Sequence, residues 1–175
     1  MWTCTGSIVT LESPWVRLLG EHWVDERGIA LDYWRVERAH SVIVLPIWRG
    51  QVLLPHPQFR PGVQRLTFDL PGGRLPPDVT PAAAAAALLH KELGLRPDEI
   101  DRVQALNAQG LMINSSFSNQ LLYGVVALIN DDAALDSQRL HRAVPCTLRA
   151  IARLIQELEC LQCRAVLQSW LLQQL

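Results

Sequence analysis

The chain has 175 residues, of which 49% are hydrophobic and 19% charged, and its formal net charge is -1. This length suits one domain with a substantial core. The near-neutral charge argues against broad nucleic-acid binding, which needs a basic stripe. The start lacks the pattern of a signal peptide, and no apolar run reaches the length of a membrane span. We therefore expect a cytoplasmic protein with no membrane or nucleic-acid partner.

Short runs of strand-forming residues, separated by turns, fill the first part of the chain. The residues "DERG" lie between "HWV" and "IALDYWRV", and this order predicts a hairpin. Residues 41–60 predict two mostly buried strands around a turn at Arg49-Gly50. The stretch "LTFDLPGG" predicts a short strand that ends in a loop at Gly72-Gly73.

The second half contains the helical signals. Thr80 offers a hydroxyl N-cap, Pro81 suits the first helical position, and Gly94 is a typical stop. The alanine run 82–87 between them has high helix propensity and lets a helix lie close to a sheet. "QLLYGVVALIN" predicts a buried strand, and residues 146–175 predict one or two amphipathic helices. Consecutive strands around one central helix predict a mixed α/β sandwich rather than a doubly wound sheet.

Two of the four cysteines, Cys160 and Cys163, form one C-x-x-C pair in a stretch predicted to be helical. A structural zinc site normally needs a second pair of ligands. We therefore expect free thiols that are buried or partly buried, as in a reducing cytoplasm.

The stretch that follows "LPGG" resembles the Nudix box, G-x5-E-x7-R-E-U-x-E-E-x-G-U, where U is a bulky aliphatic residue. The two ends align without a gap. Gly73 takes the first glycine, Leu89 the internal aliphatic position and Glu92 the last glutamate, while Gly94 and Leu95 close the motif. The flanking stretches "PQFRPG" and "FDLPGG" are similar to those of the ADP-ribose pyrophosphatase branch of this family.

The resemblance implies an α+β fold, the Nudix-type α/β/α sandwich with a mixed central sheet and N-terminal antiparallel strands. Residues 1–40 would form those strands and part of a homodimer interface. Residues 41–175 would form the Nudix-like domain, including the C-terminal helices. The ligand implied is a nucleoside diphosphate derivative such as ADP-ribose.

The chain departs from the box at most of its working positions. Val79, Leu88 and Lys91 stand where the motif has glutamates, and Ala87 stands where it has arginine, so only Glu92 is retained. Positions 88, 91 and 92 share one helix face, where the family's acids converge on a divalent metal. Magnesium requires oxygen ligands, and this face offers one carboxylate beside an ammonium group. We therefore expect no cofactor, or Mg²⁺ bound through Glu92 in an active enzyme.

A second region has lost acids in the same way. Family members of this branch commonly carry a loop like S-P-G-F-S-D-E, and the matching stretch here is "NSSFSNQ", which places Asn119 and Gln120 at the acidic positions. Amides are poor magnesium ligands and cannot act as a general base. Asp69 and Asp78 are alternative acids near the box, although we expect both to be solvated loop residues.

Several groups remain that suit a diphosphate. The resemblance places Arg60 and Arg74 near the ligand phosphates, and arginine suits bidentate contact with phosphate oxygens. Lys91, the Gly72-Gly73 backbone and Gln120 complete the candidate substrate-binding set. Surface ion pairs are the alternative role for each arginine. Trp23 or Trp34 would stack on an adenine base, although core or interface roles are commoner.

Three hypotheses follow. The first is a Nudix-fold protein of the ADP-ribose pyrophosphatase type with lost or much reduced hydrolase activity and retained nucleotide-diphosphate binding. The second is an active Mg²⁺-dependent hydrolase that uses Glu92 and displaced acids, and in which water attacks a phosphorus of the diphosphate. The third is a non-catalytic interaction scaffold.

Overall fold

The computed structural model describes residues 1–174, and the chain divides into two compact units. The first unit contains Met1–His40 and Met112–Leu121, and the second contains Ser41–Leu111 and Leu122–Leu175. No helix among residues 1–174 is long and apolar enough to cross a membrane.

The first unit is built on an antiparallel sheet of three strands in the order β1-β2-β3. The hairpin predicted at "DERG" is confirmed. The Asp25 carboxylate accepts hydrogen bonds from the backbone N–H groups of Arg27 and Ile29, and Gly28 takes a positive φ of 80°. Residues of β1 are mostly exposed on both faces. The strands are β1 (Thr3–Glu12), β2 (Arg17–Val24) and β3 (Ala30–Glu37).

The second unit carries a mixed sheet with the core order β11-β4-β5-β12. β11 runs parallel to β4, whereas β5 pairs antiparallel with both β4 and β12. The strands of this sheet are, in chain order, β4 (Ser41–Trp48), β5 (Gln51–Pro55), β8 (Gly72–Arg74), β9 (Ile100–Ala105), β10 (Leu111–Met112), β11 (Leu121–Ile129) and β12 (Leu140–Pro145). A separate two-stranded sheet is formed by β6 (Gln58–Arg60) and β7 (Arg65–Thr67).

Helices cover both faces of this sheet. One core contains Val42, Val44 and Leu53 of the sheet, packed against Ala85 and Leu89 of α1. The intervening sheet residues, among them Ile43 and Leu45, point to the opposite face because side chains alternate along a strand. There α3 packs on β4 and α2 packs on β12. The helices are α1 (Pro81–Leu93), α2 (Leu148–Glu157) and α3 (Leu161–Leu172), with a short 3-10 turn at Pro97–Glu99.

The local signals around α1 are confirmed. Thr80 Oγ1 accepts a hydrogen bond from the Ala83 backbone, Pro81 occupies the first turn, and Gly94 ends the helix at a φ of 76°. Ala84 and Ala85 are buried, so the alanine run lets the helix lie close to the sheet. The expected α+β sandwich with a mixed sheet and N-terminal antiparallel strands is therefore the observed fold.

One local expectation was wrong. Gly72-Gly73 is not a loop: it lies in β8, which pairs antiparallel with the first half of β4. The N-terminal half of β4 needs a partner because β5 pairs only with its last residues, Ile47 and Trp48.

The Cys160 and Cys163 pair lies at the start of α3, where Cys160 is the N-cap and Cys163 is inside the helix. Both thiols are free, as expected, with Cys160 partly buried and Cys163 buried.

Candidate functional site

The sequence predicted the site on one face of α1, in the last two turns of the helix. Leu88 is half-buried and points toward β8, where a β-carbon on Gly73 would come within 2.6 Å of Leu88 Cδ2. The position at which the box has an acid is thus filled by an alkyl group in van der Waals contact with the sheet. A side chain at position 73 would require the flexible end of Leu88 to move.

Glu92, which aligns with the last glutamate of the Nudix box, is partly buried beside β8. Its Oε1 accepts a hydrogen bond from the Gly72 backbone N–H at 3.4 Å. Burial raises the pKa of the Glu92 carboxyl, although the Gly72 N–H and the charges of Lys91 and Arg60 act to lower it. The carboxyl therefore holds its proton more firmly than an exposed glutamate, which weakens it as a ligand for a hard cation.

Lys91 lies one residue before Glu92 and is exposed. A cavity of about 270 Å³ opens beside both residues, between the end of β5 and the segment that precedes β12. Its walls carry mainly donor or cationic side chains, namely those of His56, Gln58, Lys91, Gln138 and Arg139, together with Glu92 and two prolines. Such a lining suits a small anion.

Arg139 holds the end of α1 next to this cavity. Its Nη1 donates hydrogen bonds to the backbone carbonyls of His90 and Lys91, at 3.1 and 2.8 Å. Its Nε also forms an ion pair with Asp136 at 3.3 Å. A cation at the C-terminus of a helix satisfies free carbonyls and opposes the helix dipole. Arg139 therefore fixes the backbone from which Lys91 and Glu92 project.

Arg60 and Asp69 form a pair near the start of β8. Arg60 donates to Asp69 Oδ2 from Nε at 3.1 Å and from Nη2 at 2.9 Å. Thr67 Oγ1 donates to the same oxygen at 2.8 Å. The Asp69 side chain is only 12% exposed, so the expectation that it is a solvated loop residue was wrong. Arg60 keeps 45% of its side chain exposed and retains a surface for an anion.

Arg74 and Asp78 lie on the segment that joins β8 to α1. Arg74 is an exposed residue at the end of β8. Asp78 is exposed, as expected, and takes a left-handed φ of 60° in a turn. Both are in the same unit as Glu92.

Gln120 belongs to the first unit and is 4% exposed. Its Nε2 donates to the Ala39 carbonyl at 2.9 Å, and the neighbouring Asn119 accepts from the Arg38 backbone N–H at 3.0 Å. These amides tie residues 112–121 to the end of β3. The ligand role that the sequence suggested for Gln120 stays a prediction.

An aromatic cavity of about 400 Å³ lies within the first unit, lined by Trp2, Trp23, Tyr33 and Arg35. Trp2 and Tyr33 meet edge to face with ring centroids 5.9 Å apart. Trp23 is held by a hydrogen bond from its Nε1 to Glu21 Oε2 at 3.1 Å. Trp34 instead lies against Gly20, where a β-carbon would come within 3.0 Å of its ring.

Sequence reasoning identified Lys91 and Glu92 but not the other walls of the cavity beside them. His56, Gln58 and Arg139 come from segments with no motif of their own. In the stretch "HPQFR" only Arg60 is a candidate from the resemblance, and Arg139 follows a polar stretch without a motif. Only the pairing of β5 with β12 brings the two segments to the same place.

Comparison with known proteins places this chain by shape rather than by sequence. No protein-family model matches the sequence, and no curated protein matches it. Among solved structures, one described as "Crystal structure of ADP compounds hydrolase" superposes with a TM-score of 0.78, covering 99% of this chain and 95% of that chain at 16% identity. At this identity the likeness shows the fold, which is the Nudix-type α+β sandwich expected from the sequence.

Proposed function

We propose that this chain binds a nucleoside diphosphate derivative, such as ADP-ribose, and that its hydrolase activity is lost or much reduced. The proposal rests on the fold shared with a protein described as an ADP compounds hydrolase. The observation that carries the loss of activity is the packing of Leu88 against Gly73, which fills the position of one family acid. Lys91 replaces a second acid with a positive charge, so the helix face repels the cation that the family uses.

In this proposal the positive charge of the Lys91 ammonium group neutralises the diphosphate, in place of a metal ion. The cavity beside it has a volume of about 270 Å³. That is below the roughly 300–1,000 Å³ of sites that enclose a whole ligand, and suits a phosphate or diphosphate group. His56 and Gln58 provide further donors on the opposite wall, and Arg60 is exposed nearby in sequence. In this proposal, direct ammonium and guanidinium contacts replace the bridging metal.

Two finer parts of the proposal concern the first unit. Within the first unit, Trp23, Tyr33 and Arg35 line a cavity whose aromatic and cationic side chains suit a flat aromatic ring. The long strand β1 is exposed along most of its length and forms an edge of its sheet. Uncovered edges of this length favour pairing with another chain, which supports a homodimer through residues 1–40. Light scattering on the purified protein tests the dimer.

The experiment uses the fact that Lys91 is the only lysine of the sequence. An amine-reactive acetylating reagent modifies Lys91 and the N-terminal amine, and intact mass with peptide mapping reports each separately. We expect ADP-ribose in the presence of a chelator to slow acetylation of Lys91 and leave the N-terminus unchanged. Equal acetylation with and without ADP-ribose, ADP and inorganic diphosphate would overturn the binding proposal.

The same preparations decide between binding and catalysis. Incubation with ADP-ribose and Mg²⁺ or Mn²⁺ is followed for AMP and ribose phosphate. We expect no turnover above a blank. Turnover that Glu92→Gln abolishes would overturn the loss of activity and establish the active hydrolase. A melting temperature that no nucleotide raises, with unprotected Lys91, would favour a scaffold.

A further inference from the structure

Three metal-ligating side chains meet at a place that the proposed function does not use. Asp69 lies between β7 and β8, whereas Cys160 and Cys163 lie at the start of α3. One ligand atom from each residue lies within 4.8 Å of the other two. The sequence showed only the C-x-x-C pair, and the fold supplies a third ligand from a distant segment.

One oxygen of the Asp69 carboxylate accepts hydrogen bonds, and the other has no hydrogen-bond partner within residues 1–174. Thr67 and Arg60 both donate to Oδ2. Oδ1 is buried and has no hydrogen-bond partner among the described residues. A buried acceptor without a partner loses its hydrogen bonds to water, so native proteins rarely leave one unsatisfied. A bound cation would satisfy it.

The two thiols lie close enough to hydrogen-bond to one another. The S–H of Cys163 donates to the Cys160 sulfur, and so do backbone N–H groups at the start of α3. Donors of this kind favour the thiolate form that a metal ligand needs, and metal binding displaces thiol protons.

We propose that Asp69, Cys160 and Cys163 form a binding site for one soft divalent cation of the zinc class. Zinc takes thiolate and carboxylate ligands together, whereas magnesium and calcium require oxygen ligands alone. Three protein ligands leave a fourth tetrahedral position for water. Three anionic ligands are balanced by the cation and the Arg60 guanidinium. Coordination through both sulfurs breaks each S–H bond still present on Cys160 and Cys163, and the protons pass to solvent.

Thr67 is the positioning residue of this site. It orients the carboxylate through Oδ2 and leaves Oδ1 for the ion. Groups that orient metal ligands typically contribute about 10–100-fold to affinity. Thr67→Val, which keeps the side-chain volume, is therefore expected to weaken metal binding to this extent.

The test is cobalt titration of the full chain after reduction and removal of metal by a chelator. We expect one Co²⁺ per chain, with a thiolate-to-metal charge-transfer band in the near ultraviolet that Zn²⁺ abolishes. Cys160→Ser and Cys163→Ser should each remove the band, and Asp69→Asn should weaken binding at least as much as Thr67→Val. Cys146→Ser, which removes a partly buried cysteine outside the cluster, should leave binding unchanged.

Several results would overturn the site. They are absence of a charge-transfer band in the reduced chain, retention of full affinity in Asp69→Asn, or loss of the band in Cys146→Ser. A melting curve of each variant without metal separates loss of binding from loss of folding. If a cysteine variant does not fold, the cobalt affinity of Asp69→Asn decides whether the site exists. If oxidised glutathione closes a Cys160–Cys163 disulfide while the reduced chain takes up no cobalt, the pair is a redox dithiol and the metal site is rejected. Because the readout is the metal alone, failure of nucleotide binding leaves it unaffected.

Discussion

Leu88 and Gly73 are in direct contact, and a β-carbon on Gly73 would come within 2.6 Å of Leu88 Cδ2. The Leu88 side chain occupies space that is free because Gly73 has no side chain. This space lies beside the helix face where the Nudix box would carry an acid. This contact couples the fold of the site to its chemistry, because an ionised side chain at position 88 would lie against β8.

Gly73→Ala tests this contact. The added methyl group forces the flexible end of Leu88 to move, and we expect a loss of about 1 kcal/mol in the free energy of unfolding, at the low end for an overpacked core. In a Leu88→Ala background the same change should cost less, with a coupling energy of at least about 0.5 kcal/mol between the two positions. Urea unfolding of the four proteins gives the cycle. Strictly additive losses would contradict the contact.

Introducing acids at positions 88 and 91 should create a metal response. In the double variant Leu88→Glu/Lys91→Glu, positions 88, 91 and 92 all carry carboxylates on one helix face. We expect Mg²⁺ to raise the melting temperature of this variant and to leave the natural chain unchanged, because only a ligand that binds the folded state stabilises it. Leu88→Gln/Lys91→Gln is the matched control, since it alters the same side chains without adding negative charge. An equal Mg²⁺ response in all three proteins would reject this account.

Glu92 makes stability depend on pH. Because burial raises the pKa of Glu92 in the folded chain above its ordinary value, the folded state favours the protonated form. Its contribution is favourable at low pH and is lost as the pH rises through the raised pKa. Glu92→Gln cannot ionise, so it should melt higher than the natural chain at neutral pH and lose this advantage below about pH 4. A gain of about 1 kcal/mol corresponds to roughly 2–4 °C.

Glu159→Gln is the control for this experiment, because Glu159 is exposed and pairs with Arg65 at the surface. Melting curves between about pH 4 and pH 8 are sufficient. A pH-independent difference between the natural chain and Glu92→Gln would show that burial of the charge is not its cause.

Arg35 should protect the first unit at neutral pH. It donates to Glu21 at 2.8 and 3.0 Å and to Glu37 at 2.6 Å, and these bonds lower the pKa of both carboxyls. Lowered pKa values contribute stability above the ordinary value, and the contribution is lost as the pH falls through the lowered pKa. Arg35→Met should therefore cost about 1 kcal/mol at pH 7 and progressively less in acid. Arg27→Met, in the exposed turn of the hairpin, is the control; an equal cost at every pH would contradict the ionic origin.

Turn and cap signals in the sequence predicted most of the fold, because each depends only on residues that are close to one another in the chain. Arg49 and Gly50 both take positive φ values, 46° and 69°, in the turn predicted between β4 and β5. Thr80 caps α1 through its side-chain oxygen, which accepts from the Ala83 N–H, and the Gly94 N–H donates to the His90 carbonyl. Both hydrogen bonds depend only on neighbours in the chain. Such features need no knowledge of the rest of the fold.

Features that depend on distant segments were not predictable in the same way. Gly72 and Gly73 carry a turn signal, yet they form a strand because β4 offers unpaired backbone groups. The burial of Asp69 could not be predicted from the sequence, because its partners Thr67 and Arg60 become neighbours only when β6 and β7 pair. The approach of Asp69 to Cys160 depends on where α3 packs, which no spacing in the sequence encodes.

The first unit is assembled from two separate stretches of chain, and this affects how it forms during synthesis. The Tyr33 hydroxyl donates to the Ser116 carbonyl, and Ala39 accepts from Gln120, so β3 depends on residues 112–121. Ribosomes add about 5–20 residues per second, so these partners emerge several seconds after the strands that need them. The first unit, which is translated first, can therefore finish folding only after most strands of the second unit's sheet have been synthesised.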